Sequence, residues 1–162
     1  MIIIEGIDGV GKSTVSSYLK EEGYDIHHLL YHEKNEPGFI NLFKKDQGNL
    51  VLDRGFITEL VYGPVLRDRS RIDQDALKRL MDLYATKDTR IIYLKALKED
   101  LLKRRFHNKE DYEMLLKYYE VLNQKYDEYM SMMEETFSVL TINTSYTNIP
   151  ETREKVKEFI RR

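Results

Sequence analysis

An α/β fold, with a parallel sheet of five strands covered by helices on both faces, is what this sequence predicts. Two observations carry the prediction. The apolar runs Ile2-Ile3-Ile4, Leu50-Val51-Leu52 and Ile91-Ile92-Tyr93-Leu94 are short and continuous, as in strands buried on both faces. Stretches with helical spacing separate them, so strands alternate with crossover helices. The 162 residues suit one compact domain spanning 1–162.

The elements follow in order. Ile2-Ile3-Ile4 reads as a central strand because it is β-branched and unbroken. Val15, Tyr18 and Leu19 repeat at helical spacing, which predicts a helix from about Lys12 to Glu22 with Gly23 as its cap. Tyr24 to Tyr31 is a second strand candidate, and Pro37-Gly38 marks a turn. Leu50 to Leu52 is the third strand, ending on Asp53, and a helix starts near Phe56. Gly63-Pro64 should kink or stop that helix. Asp73 can cap a helix carrying Leu77, Leu80, Met81 and Tyr84. Residues Ile91 to Leu94 form the fourth strand. Asp111 to Glu135 is a long amphipathic helix whose stripe of Tyr, Leu and Met reads as core packing. Val139 to Ile142 is the fifth strand, and Pro150 opens a last helix with Val156, Phe159 and Ile160.

Composition narrows the class. Hydrophobic residues at 41% and charged ones at 33% leave enough apolar surface for a core, without a disordered bias. A net charge of -2 gives no global pull toward nucleic acid, so attraction for phosphates must be local. The absence of cysteine rules out a disulfide framework and thiolate zinc sites. His27, His28, His32 and His107 show no metal-ligand spacing. No apolar run reaches membrane-spanning length, and the start lacks the pattern of a secretory signal. A cytoplasmic enzyme is expected, and a homodimer is one of the states the sequence leaves open.

In such a sheet ligands bind beyond the carboxyl ends of the strands, and the chemical motifs fall there. Gly6-Ile7-Asp8-Gly9-Val10-Gly11-Lys12-Ser13 fits G-x-x-x-x-G-K-[ST] completely, after a strand and before a helix. The glycines let the backbone curl into a nest of N–H groups around phosphates, and the helix N-terminus adds its dipole. Lys12 offers a positive charge to the β- and γ-phosphates of ATP, and the Ser13 hydroxyl is a magnesium ligand. Asp53, at the end of a buried strand, reads either as a helix cap or as a carboxylate for the same magnesium. Beside the phosphate loop the metal role is favoured.

Asn108-Lys109-Glu110-Asp111 spells the guanine-reading N-K-x-D of GTPases, but it lies thirteen residues past Lys95 rather than at a strand end. Asp53 is followed by Arg54-Gly55-Phe56, with no D-x-x-G. A switch GTPase is therefore the minor reading.

Glu5 to Thr14 closely resembles the start of thymidylate kinases and their deoxynucleoside-kinase relatives, including short phage-type members. Asp53-Arg54 is similar to that group's D-R motif, and Glu36-Pro37-Gly38 to its E-P-G element. Residues 94–105 resemble its strand-to-lid segment. The resemblance implies the three-layer fold of P-loop NTPases with a short lid near 103–111, and it implies ATP and magnesium. It implies a loop of Gly6, Gly9, Val10, Gly11, Lys12, Ser13 and Thr14 around the ATP phosphates, with Ser13 and Asp53 toward magnesium. It also implies that Asp8 contacts the acceptor sugar, that Glu36 belongs to the acceptor element, that Arg54 clamps the transferring phosphate and that Arg104 covers the adenine.

Three departures stand out. Gly55 follows Arg54 where relatives carry an aromatic residue, and only sixteen residues separate Glu36 from Asp53. Gly9 and Val10 bring no second cation to the loop. Phosphoryl transfer depends on neutralising charge, so further arginines must come from elsewhere. Arg105, in the run Lys103 to Lys109, is the expected lid cation, while Arg67, Arg69 and Arg71 form a second run that reads equally as a solvated face. Among the acceptor-side aromatics, Phe56 is the expected stacking surface for a base, being next to Arg54. The expected reaction is transfer of the ATP γ-phosphate to a deoxynucleoside monophosphate of thymidylate type. A hydroxyl acceptor, on a deoxynucleoside or a modified base in DNA, is the alternative, and a non-kinase NTPase is the third reading.

Overall fold

The computed structural model describes residues 1–104 and 109–161. Five strands make one sheet: β1 (Ile2–Glu5), β2 (Asp25–His28), β3 (Leu50–Asp53), β4 (Arg90–Lys95) and β5 (Ser138–Asn143). Their order is β2-β3-β1-β4-β5, with each neighbouring pair parallel. β1 lies at the centre, pairing Ile2 with Val51 on one side and with Arg90 on the other. Burial explains the sequence pattern. β1 is buried throughout, and β3 and β4 are buried along their apolar residues, whereas the edge strands β2 and β5 are mostly half-exposed.

The helices α1 (Lys12–Glu21), α2 (Glu36–Lys45), α3 (Phe56–Arg67), α4 (Gln74–Ala85), α5 (Lys98–Lys103), α6 (Lys109–Met133) and α7 (Ile149–Arg161) pack around the sheet. α1 meets α7, α2 meets α4, and α3 meets α6. The stripe expected on the long helix is core at Leu115, Leu122, Tyr126, Met130 and Met133, while Tyr112 and Leu116 stay exposed. No helix among the described residues is long and apolar enough to cross a membrane.

Three expectations are corrected. The second strand ends at His28, and residues Tyr31–Glu33 form a short 3-10 turn. Pro37-Gly38 is no turn. It lies in the first turn of α2, where proline's missing N–H costs nothing and its fixed φ suits a helix. The Asn35 side chain caps this helix by accepting from the Gly38 N–H at 2.9 Å. Of the kink or stop expected at Gly63-Pro64, the stop does not occur: α3 runs on to Arg67 and ends where Asp68 takes φ 58°. Pro64 forfeits one helical hydrogen bond, but every residue from Phe56 to Gly63 is buried, and that packing holds the helix.

Candidate active site at the carboxyl edge of the sheet

The loop between β1 and α1 begins with a close approach. Gly6 has φ 141°, and a Cβ there would meet the Leu94 carbonyl oxygen at 2.2 Å, so no other residue fits. Lys12, the first residue of α1, turns back over the loop and donates to Gly6 O and Ile7 O, both at 2.8 Å. Its side chain is only 8% exposed. Burial, with help from the Arg54 charge, pushes its pKa down to about 8. Ser13 and Thr14 face the same cavity.

Asp53 ends β3 on the other side of the loop. One carboxylate oxygen pairs with His28 Nδ1 at 2.8 Å, across the strand register that sets His28 opposite Asp53. The other oxygen, Oδ1, is buried without a hydrogen-bond partner among the described residues. A buried carboxylate oxygen left unpaired is costly, and a cation shared with the nearby Ser13 hydroxyl fits that need.

Arg54 follows with φ 76°, a left-handed conformation rare for a residue with a Cβ. Its N–H donates to Ile4 O at 3.0 Å, and its guanidinium lies over the Tyr62 ring and pairs with Asp8. The Tyr62 hydroxyl donates to the other Asp8 oxygen at 3.1 Å. Burial works against ionisation of Asp8, but the Arg54 and Lys12 charges and the Tyr62 hydroxyl outweigh it and hold the carboxyl below its usual range. Asp8, Lys12, Asp53 and Arg54 thus border one cavity of about 860 Å³, a volume suited to a nucleotide.

The opposite wall is built by Arg104. Its guanidinium donates to Gly9 O at 2.7 Å and to Thr144 O and Oγ1 at 3.2 and 3.1 Å. The Thr144 hydroxyl in turn donates to Val10 O at 2.9 Å, bolting the segment after β5 onto the phosphate loop. Thr147 and Asn148, between β5 and α7, and Pro150, in the first turn of α7, line this end of the cavity, and Asp111 borders it. Sequence reasoning missed Thr144 to Pro150. The available signal was topological: the segment leaves the carboxyl end of a strand beside β4.

Two expected acceptor residues lie elsewhere. Phe56 is 0% exposed and sits edge-on to Phe39 and Tyr84, at centroid distances of 5.9 and 5.3 Å. It is core, because the first turn of α3 points it away from Arg54 into the α2–α4 contact. Glu36 does not border the cavity and makes a two-pronged pair with Arg79 at 2.6 and 2.8 Å. Arg105 and Asn108 lie outside the described residues. The second basic run is more than a solvated face. Arg67 pairs with the buried Glu59 at 2.5 Å, whose carboxylate also accepts the Arg71 N–H, and Arg71 covers the Tyr31 ring. Burial and the charges of Arg54, Arg67 and Arg71, opposed by Glu59, lower the pKa of Lys34.

No protein-family model and no curated protein matches the chain. Solved structures do. The YorR protein of Bacillus subtilis, in complex with phosphorylated GDP, is 23% identical with a TM-score of 0.78, covering 99% of this chain and 95% of that one. Deoxyadenosine kinase from M. mycoides with bound dCTP is 21% identical with a TM-score of 0.66, covering 99% of both chains. Thymidylate kinase from Candida albicans is 17% identical with a TM-score of 0.67, covering 99% of this chain and 90% of that one. Likeness at this level of identity speaks to the fold, and the chain has the P-loop kinase fold, a five-stranded parallel sheet with helices around it.

Proposed function

We propose that the chain transfers the γ-phosphate of ATP, with magnesium, to a deoxynucleoside monophosphate of the thymidylate class. The observation that carries this reading is the charge around Arg54. Arg54 borders the cavity together with Lys12, while Glu33 and Glu36, two of the three carboxylates that could activate a hydroxyl, are engaged elsewhere. Glu33 accepts from the Leu30 N–H at 2.9 Å and pairs with His27 at 2.7 Å. A monophosphate acceptor is already ionised at neutral pH, so it needs cations to hold it and no base to deprotonate it.

On this reading Lys12 exchanges the carbonyls of Gly6 and Ile7 for the β- and γ-phosphates. Ser13 and Asp53 would hold magnesium, which when bound neutralises charge on the phosphate oxygens. Arg54, lent out by Asp8, orients the acceptor phosphate toward the γ-phosphorus. A bond forms from an acceptor oxygen to that phosphorus as the bond to the β–γ bridging oxygen breaks, and ADP leaves with the electron pair. Arg104 and the Thr144–Pro150 segment receive the donor base.

A hydroxyl acceptor has two observations in its favour: Asp8 faces the cavity, and the deoxyadenosine kinase neighbour acts on a nucleoside by its name. The deciding experiment incubates the protein with labelled ATP or GTP and a panel of deoxynucleosides, their monophosphates and short DNAs. Label in a diphosphate, with ATP preferred, supports the proposal. Label on a nucleoside or DNA hydroxyl overturns it in favour of the second reading, and release of phosphate without any acceptor product points to a non-kinase NTPase.

A further inference from the structure

The residue that fixes Arg54 is fifty positions from Gly55 in sequence and hidden in the core. Glu5, the last residue of β1, is 0% exposed. Its Oε1 accepts the N–H groups of Gly55 at 2.9 Å and Thr58 at 3.3 Å, and its Oε2 accepts the Thr58 hydroxyl at 2.6 Å. The Tyr126 hydroxyl closes the ring, 3.0 Å from that of Thr58. These N–H groups open α3, whose own N-cap residue, Gly55, has no side chain to satisfy them.

The arrangement also explains why glycine follows Arg54 here. A Cβ on residue 55 would lie 2.5 Å from Ile3 Cγ2 and 3.0 Å from the Glu5 carboxylate. The helix start is thus drawn against β1, and the turn before it must absorb the approach. That turn is Arg54, held at φ 76° between its own N–H bond to Ile4 O and the Gly55 N–H bond to Glu5.

We infer that Glu5 is a positioning residue for Arg54: a carboxylate lent by the phosphate-loop strand to cap α3, aiming the guanidinium into the cavity and coupling the two halves of the site. Only the turnover arm of its test rests on the proposed phosphotransfer; the structural arm does not. In the structural arm, the Arg54 Nε–H signal is followed by nitrogen-15 NMR and assigned by its loss in Arg54→Lys. Glu5→Ala and Thr58→Val should each move or broaden that signal while leaving those of Arg79 and Arg90, remote from the ring, in place. Thr58→Val keeps the volume of the side chain and carries the test if Glu5→Ala does not fold. In the turnover arm, with ATP and dTMP, Glu5→Ala should lower kcat about 10- to 100-fold with little change in affinity for ATP. That loss should largely vanish in an Arg54→Ala background, because two residues acting through one contact are not additive. Glu5→Gln, which still offers an oxygen to the Gly55 N–H, should restore most of the lost turnover.

An Arg54 signal unmoved in both variants, or losses that simply multiply with Arg54→Ala, would overturn the inference while leaving the phosphotransfer reading intact. A moved signal in a protein that transfers phosphate to no acceptor would instead support the positioning role and remove the phosphotransfer reading.

Discussion

Replacing Lys12 by methionine should change how stability depends on pH, and the size of the change follows from burial. With its pKa pushed from 10.5 to about 8, the lysine is a charged group that the folded chain holds less readily than the unfolded chain does. Between those two values the unfolded state binds more protons, so stability rises with pH through this window. From pH 8 to 9.5 that gain amounts to roughly 1 to 2 kcal/mol, and below pH 7 the slope disappears. Methionine keeps most of the length and apolar surface but has nothing to titrate. Urea unfolding of both proteins at pH 6.5, 8, 9 and 9.5 gives the difference curve directly. Contributions common to both, including the buried amino group of Met1 whose pKa is also lowered, cancel in it. ATP should show the mirror effect, since phosphates favour the charged lysine: wild-type affinity falls by up to about tenfold per pH unit above 8. Parallel unfolding curves for the two proteins would refute the reasoning, because they would mean that Lys12 titrates alike in the folded and unfolded chains.

Three further outcomes are expected. Phe56→Leu should lower stability by about 1 to 2 kcal/mol in urea unfolding while leaving the acceptor KM within about twofold, as fits a core residue; a large rise in KM would restore its expected place at the acceptor. Glu36→Gln should reduce turnover by less than about tenfold, below the contribution of a general base, whereas a larger loss together with a vanished acidic limb in the pH–rate profile would favour a hydroxyl acceptor. Arg104→Ala should weaken ATP binding by calorimetry more than it slows turnover, because it removes both a wall of the cavity and the tie between Gly9 O and Thr144; unchanged affinity would make that wall irrelevant to the donor.

The parts of the fold legible in the sequence were those set by local chemistry. β1, β3 and β4 are buried on both faces, so their runs are unbroken and stand out. The phosphate loop was legible because its spacing serves one narrow purpose. α2 was misread because Pro37-Gly38 favours a turn taken alone, and only the Asn35 cap three residues before Gly38 marks a helix start. Phe56 was misassigned by proximity: adjacency to Arg54 in the chain says nothing about direction once a helix begins between them. Glu5 escaped notice for a different reason. Its partners, Gly55, Thr58 and Tyr126, are fifty or more residues away, and a glutamate ending a strand looks like any surface residue until the sheet order brings β1 beside β3.

The clasp between Arg104, Gly9 and Thr144 bears on the entropy of encounter. A cation that must find its place after the ligand arrives loses rotamer freedom at that moment, and the loss comes out of the affinity. Arg104 has given up that freedom already, to two backbone carbonyls and a hydroxyl of its own chain. Lys12 is in the opposite position: it has partners to abandon before it can take new ones. On the proposed reading the Arg104 side of the cavity therefore meets a ligand as a finished surface, while the Lys12 side must exchange internal bonds for external ones.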